Sequence, residues 1–191
     1  MNIQQLVSAF SSVETTLLAD HQTALTGAEL AARAYETAAE LTTLGFGDGK
    51  IVIQRMANNI DCIITFLALL LSDNVVFVAS PHDPIQRFDE HIDKFAPFAL
   101  VLDAPCAAAI AKRRQDHHGA THCRLNSVCL AANLFSGNQR PLKYYHPVME
   151  DAAVALFSSG TTGEPKAIVN SIEHLLQNAQ MHVQSVSLSA C

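Results

Sequence analysis

The sequence predicts an α/β fold, a parallel sheet covered by helices. Two observations carry that reading. Three short apolar runs, Lys50–Gln54, Val75–Ala79 and Phe98–Leu102, read as strands buried on both faces. Between them, apolar residues recur at helical spacing, and strand–helix–strand–helix–strand is the order of parallel strands joined by crossovers.

Each element has a local reason. Leu6, Val7, Phe10, Val13, Leu17 and Leu18 give residues 1–25 a loose helical pattern ending near Asp20-His21. Thr26-Gly27-Ala28-Glu29 has the T-x-x-E spacing of a capping box. Leu30, Ala34, Ala38 and Leu41 form the stripe of the helix it opens, and Leu44-Gly45 is its stop. Gly47-Asp48-Gly49 turns the chain into the first strand. Asn58 or Asn59 then caps a helix running to about Leu71, apolar on most sides. After the second strand, Asp83-Pro84 supplies an N-cap and a first-turn proline, and Ile85, Phe88, Ile92 and Phe95 repeat at helical spacing. The third strand ends at Asp103. Pro105 to Ala111 reads as a short helix, Val128 to Ala132 as a strand, and 136–141 as a loop. Ser171 caps a last helix with Ile172, Leu175, Leu176 and Ala179 as its stripe.

Composition narrows the function classes. The 191 residues are 49% hydrophobic and 16% charged with a net charge of −6, so no basic surface points to nucleic acid. Lys112-Arg113-Arg114 reads as a solvated helix end. The longest apolar run, Ile63 to Leu71, is nine residues and too short for a membrane span. Cys62, Cys106, Cys123, Cys129 and Cys191 are odd in number and contain no C-x-x-C pair, which predicts reduced thiols. With no signal-like N-terminus, the expected location is cytoplasmic. His117, His118, His122 and Cys123 crowd together, but no second ligand pair follows and Gly119-Ala120-Thr121 reads as a turn. Exposed histidines are expected there, and no metal site.

The chemistry concentrates in Leu156 to Lys166, L-F-S-S-G-T-T-G-E-P-K. Ser158, Ser159, Thr161 and Thr162 bring hydroxyls, Gly160 and Gly163 allow close backbone approach, and Lys166 adds a cation. That is a cradle for a polyanion such as a phosphate chain. A Walker loop is excluded: Glu164-Pro165 separates Gly163 from Lys166, and Ala167 stands where Ser or Thr would hold magnesium. Ala167-Ile168-Val169 reads as a strand, so the local order is strand, loop, strand. The competing reading is a polar hairpin turn whose hydroxyls satisfy their own backbone.

S-S-G-T-T-G-E-P-K resembles the phosphate-binding motif of the adenylate-forming superfamily: acyl-CoA synthetases, non-ribosomal peptide synthetase adenylation domains and luciferases. Ala167 departs from that pattern, where the family usually has glycine. Leu25 to Leu30, Gly49 to Ile53, Asn58-Asn59 and Val75 to Pro84 resemble the start of the same enzymes, with Lys50 departing from the usual Asp. The resemblance implies an ATP-dependent ligase that makes an acyl-adenylate from a carboxylic acid, releases pyrophosphate, and passes the acyl group to the thiol of CoA or of a carrier protein. It implies that Ser158, Ser159, Thr161 and Thr162, with the N–H groups of Gly160 and Gly163, hold the ATP phosphates. Lys166 is then the catalytic cation, and Mg2+ bridges the phosphates. Residues 1–191 would be one partial domain, the N-terminal portion of the large AMP-binding domain, with the C-terminal domain absent and this stretch inactive alone. The alternative is a non-catalytic binding or interaction domain that retains the loop.

Overall fold

Local capping starts the chain. Asn2 Oδ1 accepts the N–H of Gln5 while Gln5 Oε1 accepts the N–H of Asn2, both at 2.9 Å. This opens α1 (Ile3–Phe10) in the computed structural model, which describes residues 2–113, 121–125, 128–132, 152–158 and 166–185. The helical reading of residues 1–25 fails beyond Phe10. Leu17 and Leu18 lie instead in β1 (Thr16–Ala19), antiparallel to β2 (Ala24–Thr26). The cause is Asp20, whose Oδ1 accepts the N–H groups of Gln22 and Thr23 at 2.9 Å each. Such a side chain offers the backbone a turn in place of helix. Those two bonds also hold its carboxyl below the usual range.

Helix α2 (Gly27–Thr43) begins at the expected capping box: Glu29 donates its N–H to Thr26 Oγ1, and Thr26 donates its own to Glu29 Oε2 at 2.8 Å. Leu30, Ala34, Ala38 and Leu41 are all buried. Gly45 at φ +85° ends it, with Gly45 N–H bonded to Thr42 O and Phe46 N–H to Leu41 O. Gly27 is required by packing, since a Cβ there would sit 2.6 Å from both Phe10 O and Val13 Cβ.

The central units follow as β3 (Ile51–Arg55), α3 (Ile60–Leu71), β4 (Val75–Val78), α4 (Ile85–Phe95), β5 (Ala99–Leu102) and α5 (Ala104–Arg113). Asn59, not Asn58, caps α3 by accepting the N–H of Cys62 at 2.9 Å. At α4 the expected cap shifts by one: Pro84 stands at the N-cap with ψ 137°, and its carbonyl accepts the N–H of Phe88. At the end of α5, Lys112 and Arg113 are exposed, and Arg113 meets Asp89 at 3.4 Å.

The remaining elements are β6 (Thr121–Leu125), β7 (Val128–Ala132), β8 (Ala152–Ser158), β9 (Lys166–Ser171) and α6 (Ile172–Ser185). Strand β6 corrects the reading of Thr121 as part of a turn, and it also contains His122 and Cys123. Its T-H-C-R-L sequence alternates only weakly, with Cys123 and Leu125 set against His122 and Arg124 over five residues, and pairing with β7 supplies the rest. His117 and His118 lie outside the described residues. Ser171 caps α6 as expected, its Oγ accepting the N–H of His174.

Among the described residues the main sheet has seven strands in the order β6-β7-β5-β3-β4-β8-β9. The expected parallel strands are there: β5, β3, β4 and β8 run the same way. Each edge strand is antiparallel to its neighbour, β6 to β7 and β9 to β8, because residues 126–127 and 159–165 are too few for a parallel crossover; β7 is antiparallel to β5 as well. The β3–β4 connection crosses in one direction and β4–β5 returns in the other, so right-handed crossovers place α3 and α4 on opposite faces. One face packs Val52, Val76 and Val154 under α2, α3 and the start of α6. The other packs Ile53, Phe77, Leu100 and Ala155 under α4 and α5.

Candidate active site

Strand pairing aligns Val101, Gln54, Val78, Leu156 and Ile168 in one row across five strands. The carboxyl ends of the four parallel strands therefore open on a single edge, where ligands of open α/β sheets bind. Ser158 is the last residue of β8, Lys166 the first of β9, and the two are register partners. The two expected strands on either side of 159–165 are therefore there, paired antiparallel. Ser159, Gly160, Thr161, Thr162 and Gly163 lie outside the described residues.

Three side chains fasten the rest of this edge. Arg55, at the end of β3, donates to Pro81 O at 2.9 Å and Asp83 O at 2.8 Å, and to Cys106 Sγ at 2.8 Å. Its guanidinium also lies over the Phe88 ring, 5.2 Å from the centroid. It thus ties the turn after β4 to the end of β3, with carbonyls, a thiol and a ring as partners. Asp103 accepts the N–H of Cys106 at 2.9 Å and that of Ala57 at 3.3 Å, joining the exit of β3 to the start of α5. Cys106 is held by both. Burial pushes its thiol up and the nearby guanidinium pulls part of that back; burial raises Cys62 as well. Both cysteines are unpaired.

Beneath β8 lies an aromatic cluster. Phe157 sits 5.6 Å from Phe77 and 5.4 Å from Phe95, and His91 of α4 is stacked on it at 4.0 Å with the rings 16° apart. His91 is buried, and that burial holds its pKa below the usual histidine value. The reading of α4 as an Ile85, Phe88, Ile92, Phe95 stripe passed over it. The available signal was its place three residues after Phe88 and beside Ile92. Arg55 was passed over for a similar reason: it follows an apolar strand and looks like that strand's polar end.

The topology defines a class first: open, mostly parallel α/β proteins whose ligand sites lie at the carboxyl ends of the strands. Within that class, the chain belongs to the AMP-binding enzyme family, whose model matches residues 8–190. It is 28% identical over 177 residues to the AMB antimetabolite synthetase AmbE of Pseudomonas aeruginosa, covering 90% of this chain and 8% of that protein. It is 27% identical over 160 residues to the L-proline–[L-prolyl-carrier protein] ligase of Pseudomonas fluorescens, covering 80% of this chain and 31% of that one. The luciferase-like enzyme of the mealworm Zophobas morio shares the fold with a TM-score of 0.68 at 19% identity, over 92% of this chain and 43% of that enzyme. The chain thus spans less than a third of the length of these two curated relatives.

Proposed function

We propose that the protein uses ATP to convert a carboxylic acid to its acyl-adenylate with release of pyrophosphate, and then passes the acyl group to a thiol of CoA or of a carrier protein. Family membership supports the first step, and a relative named as a carrier-protein ligase supports the second. Residues 1–191 are the N-terminal portion of the large AMP-binding domain in this reading, and the complete enzyme acts in the cytoplasm. Among the described residues no helix is long and apolar enough to cross a membrane.

The observation that carries the reading is the pairing of Ser158 with Lys166 at the carboxyl edge. It closes a hydroxyl- and glycine-rich segment into a hairpin connection where an anionic ligand meets the sheet. Hydroxyls of Ser158, Ser159, Thr161 and Thr162 and amides of Gly160 and Gly163 donate to the β- and γ-phosphates. Lys166 places positive charge on the oxygens that leave as pyrophosphate, where charge develops in the transition state. Among the described residues no three His, Cys, Asp or Glu side chains gather as metal ligands. A donor set of hydroxyls and amides suits phosphate oxygens, and the metal, Mg2+, would be held with the ATP that residues 158–166 bind rather than by a cluster of carboxylates and imidazoles. When bound, it neutralises part of the charge on the departing group.

The test is carboxylate-dependent exchange of pyrophosphate into ATP by full-length wild type and Lys166→Ala, beside single-turnover thiol transfer from a pre-formed adenylate. Exchange should fall and transfer should hold, because the pyrophosphate has already left in the second assay. Wild-type exchange in the variant would reduce the loop to a turn.

A further inference from the structure

We propose that His91 is a positioning residue for the nucleotide phosphates: laid flat on Phe157, it fixes the end of β8 from which the phosphate-binding segment departs. The proposal rests on the reading of 158–166 as that segment. Three phenylalanines, Phe77, Phe95 and Phe157, already make edge and tilted contacts between 5.0 and 5.6 Å. The fourth ring is an imidazole only 2% exposed, and its Nδ1 has no hydrogen-bond partner among the described residues. An orphaned polar nitrogen in an apolar cluster costs stability that leucine or phenylalanine would not. The contact bought by that cost is specific. Among these rings, His91 alone lies parallel to Phe157, at 4.0 Å and 16°, whereas its approach to Phe95 is edge-on at 6.5 Å. Phe157 is followed by Ser158, and across the hairpin it faces Ala167, the neighbour of Lys166. A shift of this ring therefore moves both roots of the segment at once.

The stack holds while the imidazole is neutral, because a buried charge there lacks solvation. The charges that reach His91 are Asp83 ahead of α4 and Arg87, Glu90 and Lys94 on α4 itself, and they act in opposite directions. From β8 it meets Phe157, which belongs to an apolar cluster with Phe77 of β4 and Ala167 and Val169 of β9. Helix α5 brings Arg113, which is engaged with Asp89. Asp83 and Glu90 favour the charged ring, Arg87 and Lys94 oppose it, and burial outweighs them, so protonation of His91 loosens the ring from Phe157.

The experiment measures MgATP affinity by calorimetry in the full-length protein for wild type, His91→Leu, His91→Phe and Lys166→Ala, from the acid side of the histidine range to about pH 8. His91→Leu fills the site without stacking and should weaken MgATP about ten-fold at neutral pH while the protein stays folded. His91→Phe should restore the affinity and remove the part of the acid-side loss that belongs to His91. ATP protonation is common to all variants and cancels in the ratio to wild type. Unchanged affinity in His91→Leu, or the same acid-side loss in His91→Phe as in wild type, overturns the proposal. If His91→Leu does not fold, the pH comparison between wild type and His91→Phe decides. Lys166→Ala separates the two readings. Weakened binding there with no effect at His91 sinks only the positioning role, whereas no effect at Lys166 sinks the phosphate segment itself.

Discussion

The β3–α3–β4 unit and the β8–β9 hairpin are built from similarly apolar strands and end in different environments. In the inner unit, Val52, Ile53, Val76 and Phe77 are all fully buried. In the hairpin, Val154 and Ala155 are buried, yet Leu156 is 45% and its partner Ile168 56% exposed. Both lie on the face that α3 and α6 cover lower down, since side chains two apart along a strand share a face. A parallel crossover brings its own helix to cover the strand it leads to. A hairpin turns back at once and brings none. The hairpin's open end is therefore where chemistry can be placed without removing core, and Ser158 and Lys166 stand there as register partners.

That contrast predicts graded effects. Phe77→Ala should cost about 3–5 kcal/mol in urea unfolding, as loss of a buried aromatic ring does; a change under 1 kcal/mol would mean the inner unit is no more a core than the hairpin. Lys166→Ala should cost about 2–4 kcal/mol of transition-state stabilisation, roughly a 10²–10³-fold loss of exchange rate, with the urea midpoint unmoved. Thr26→Ala breaks the capping box of α2 and should cost about 1 kcal/mol of stability while MgATP affinity stays as in wild type. A loss of affinity there would show that the helical half and the hairpin do not act separately.

Smaller effects sharpen the picture. His91 has a folded pKa below its unfolded value of about 6.5. The unfolded chain therefore takes up the proton first as pH falls, and stability should drop from the ordinary histidine range down to the folded pKa, then level off. A flat stability profile across that window, relative to His91→Phe, would show that burial does not penalise the charged ring. Thr162→Val should slow exchange less than Lys166→Ala, since it removes one neutral hydroxyl and leaves the backbone donors. Ile168→Thr should change stability by no more than about 0.5 kcal/mol, the scale of an exposed position. A cost near 2 kcal/mol would mean that another part of the full-length protein covers this face.

Much of the fold was legible because its causes are local. Thr26 and Glu29 cap α2, Gly45 stops it, Asn59 caps α3, and Ser171 caps α6, each through a bond spanning a few residues. The strand runs at Ile51, Val75 and Ala99 were legible because strands buried on both faces leave continuous apolar stretches. Val13, Leu17 and Leu18 misled because their spacing fits a helix, while the Asp20 carboxylate takes the backbone N–H groups that shape a turn. Strand β6 was hidden because its alternation, Cys123 and Leu125 against His122 and Arg124, spans only five residues and its place is specified by its partner. At the site, the hydroxyl, glycine and lysine pattern stood out by composition, whereas Arg55, Asp103 and His91 did not. Their partners lie far along the chain, Arg55 to Cys106 and His91 to Phe157 among them.

By itself, the sequence determined the α/β class, the helix caps, the strands on either side of 159–165 and the resemblance that family membership bears out. Those are properties of neighbours within a few residues, where hydrogen bonds and side-chain period act directly. Only the tertiary structure decided the strand order, the antiparallel edges, the shared carboxyl edge that unites Arg55, Asp103 and the Ser158–Lys166 pair, and the placing of His91 beneath β8. Those depend on which strands meet across the sheet, and that is settled by burial of two helical layers at once rather than by any one stretch of chain.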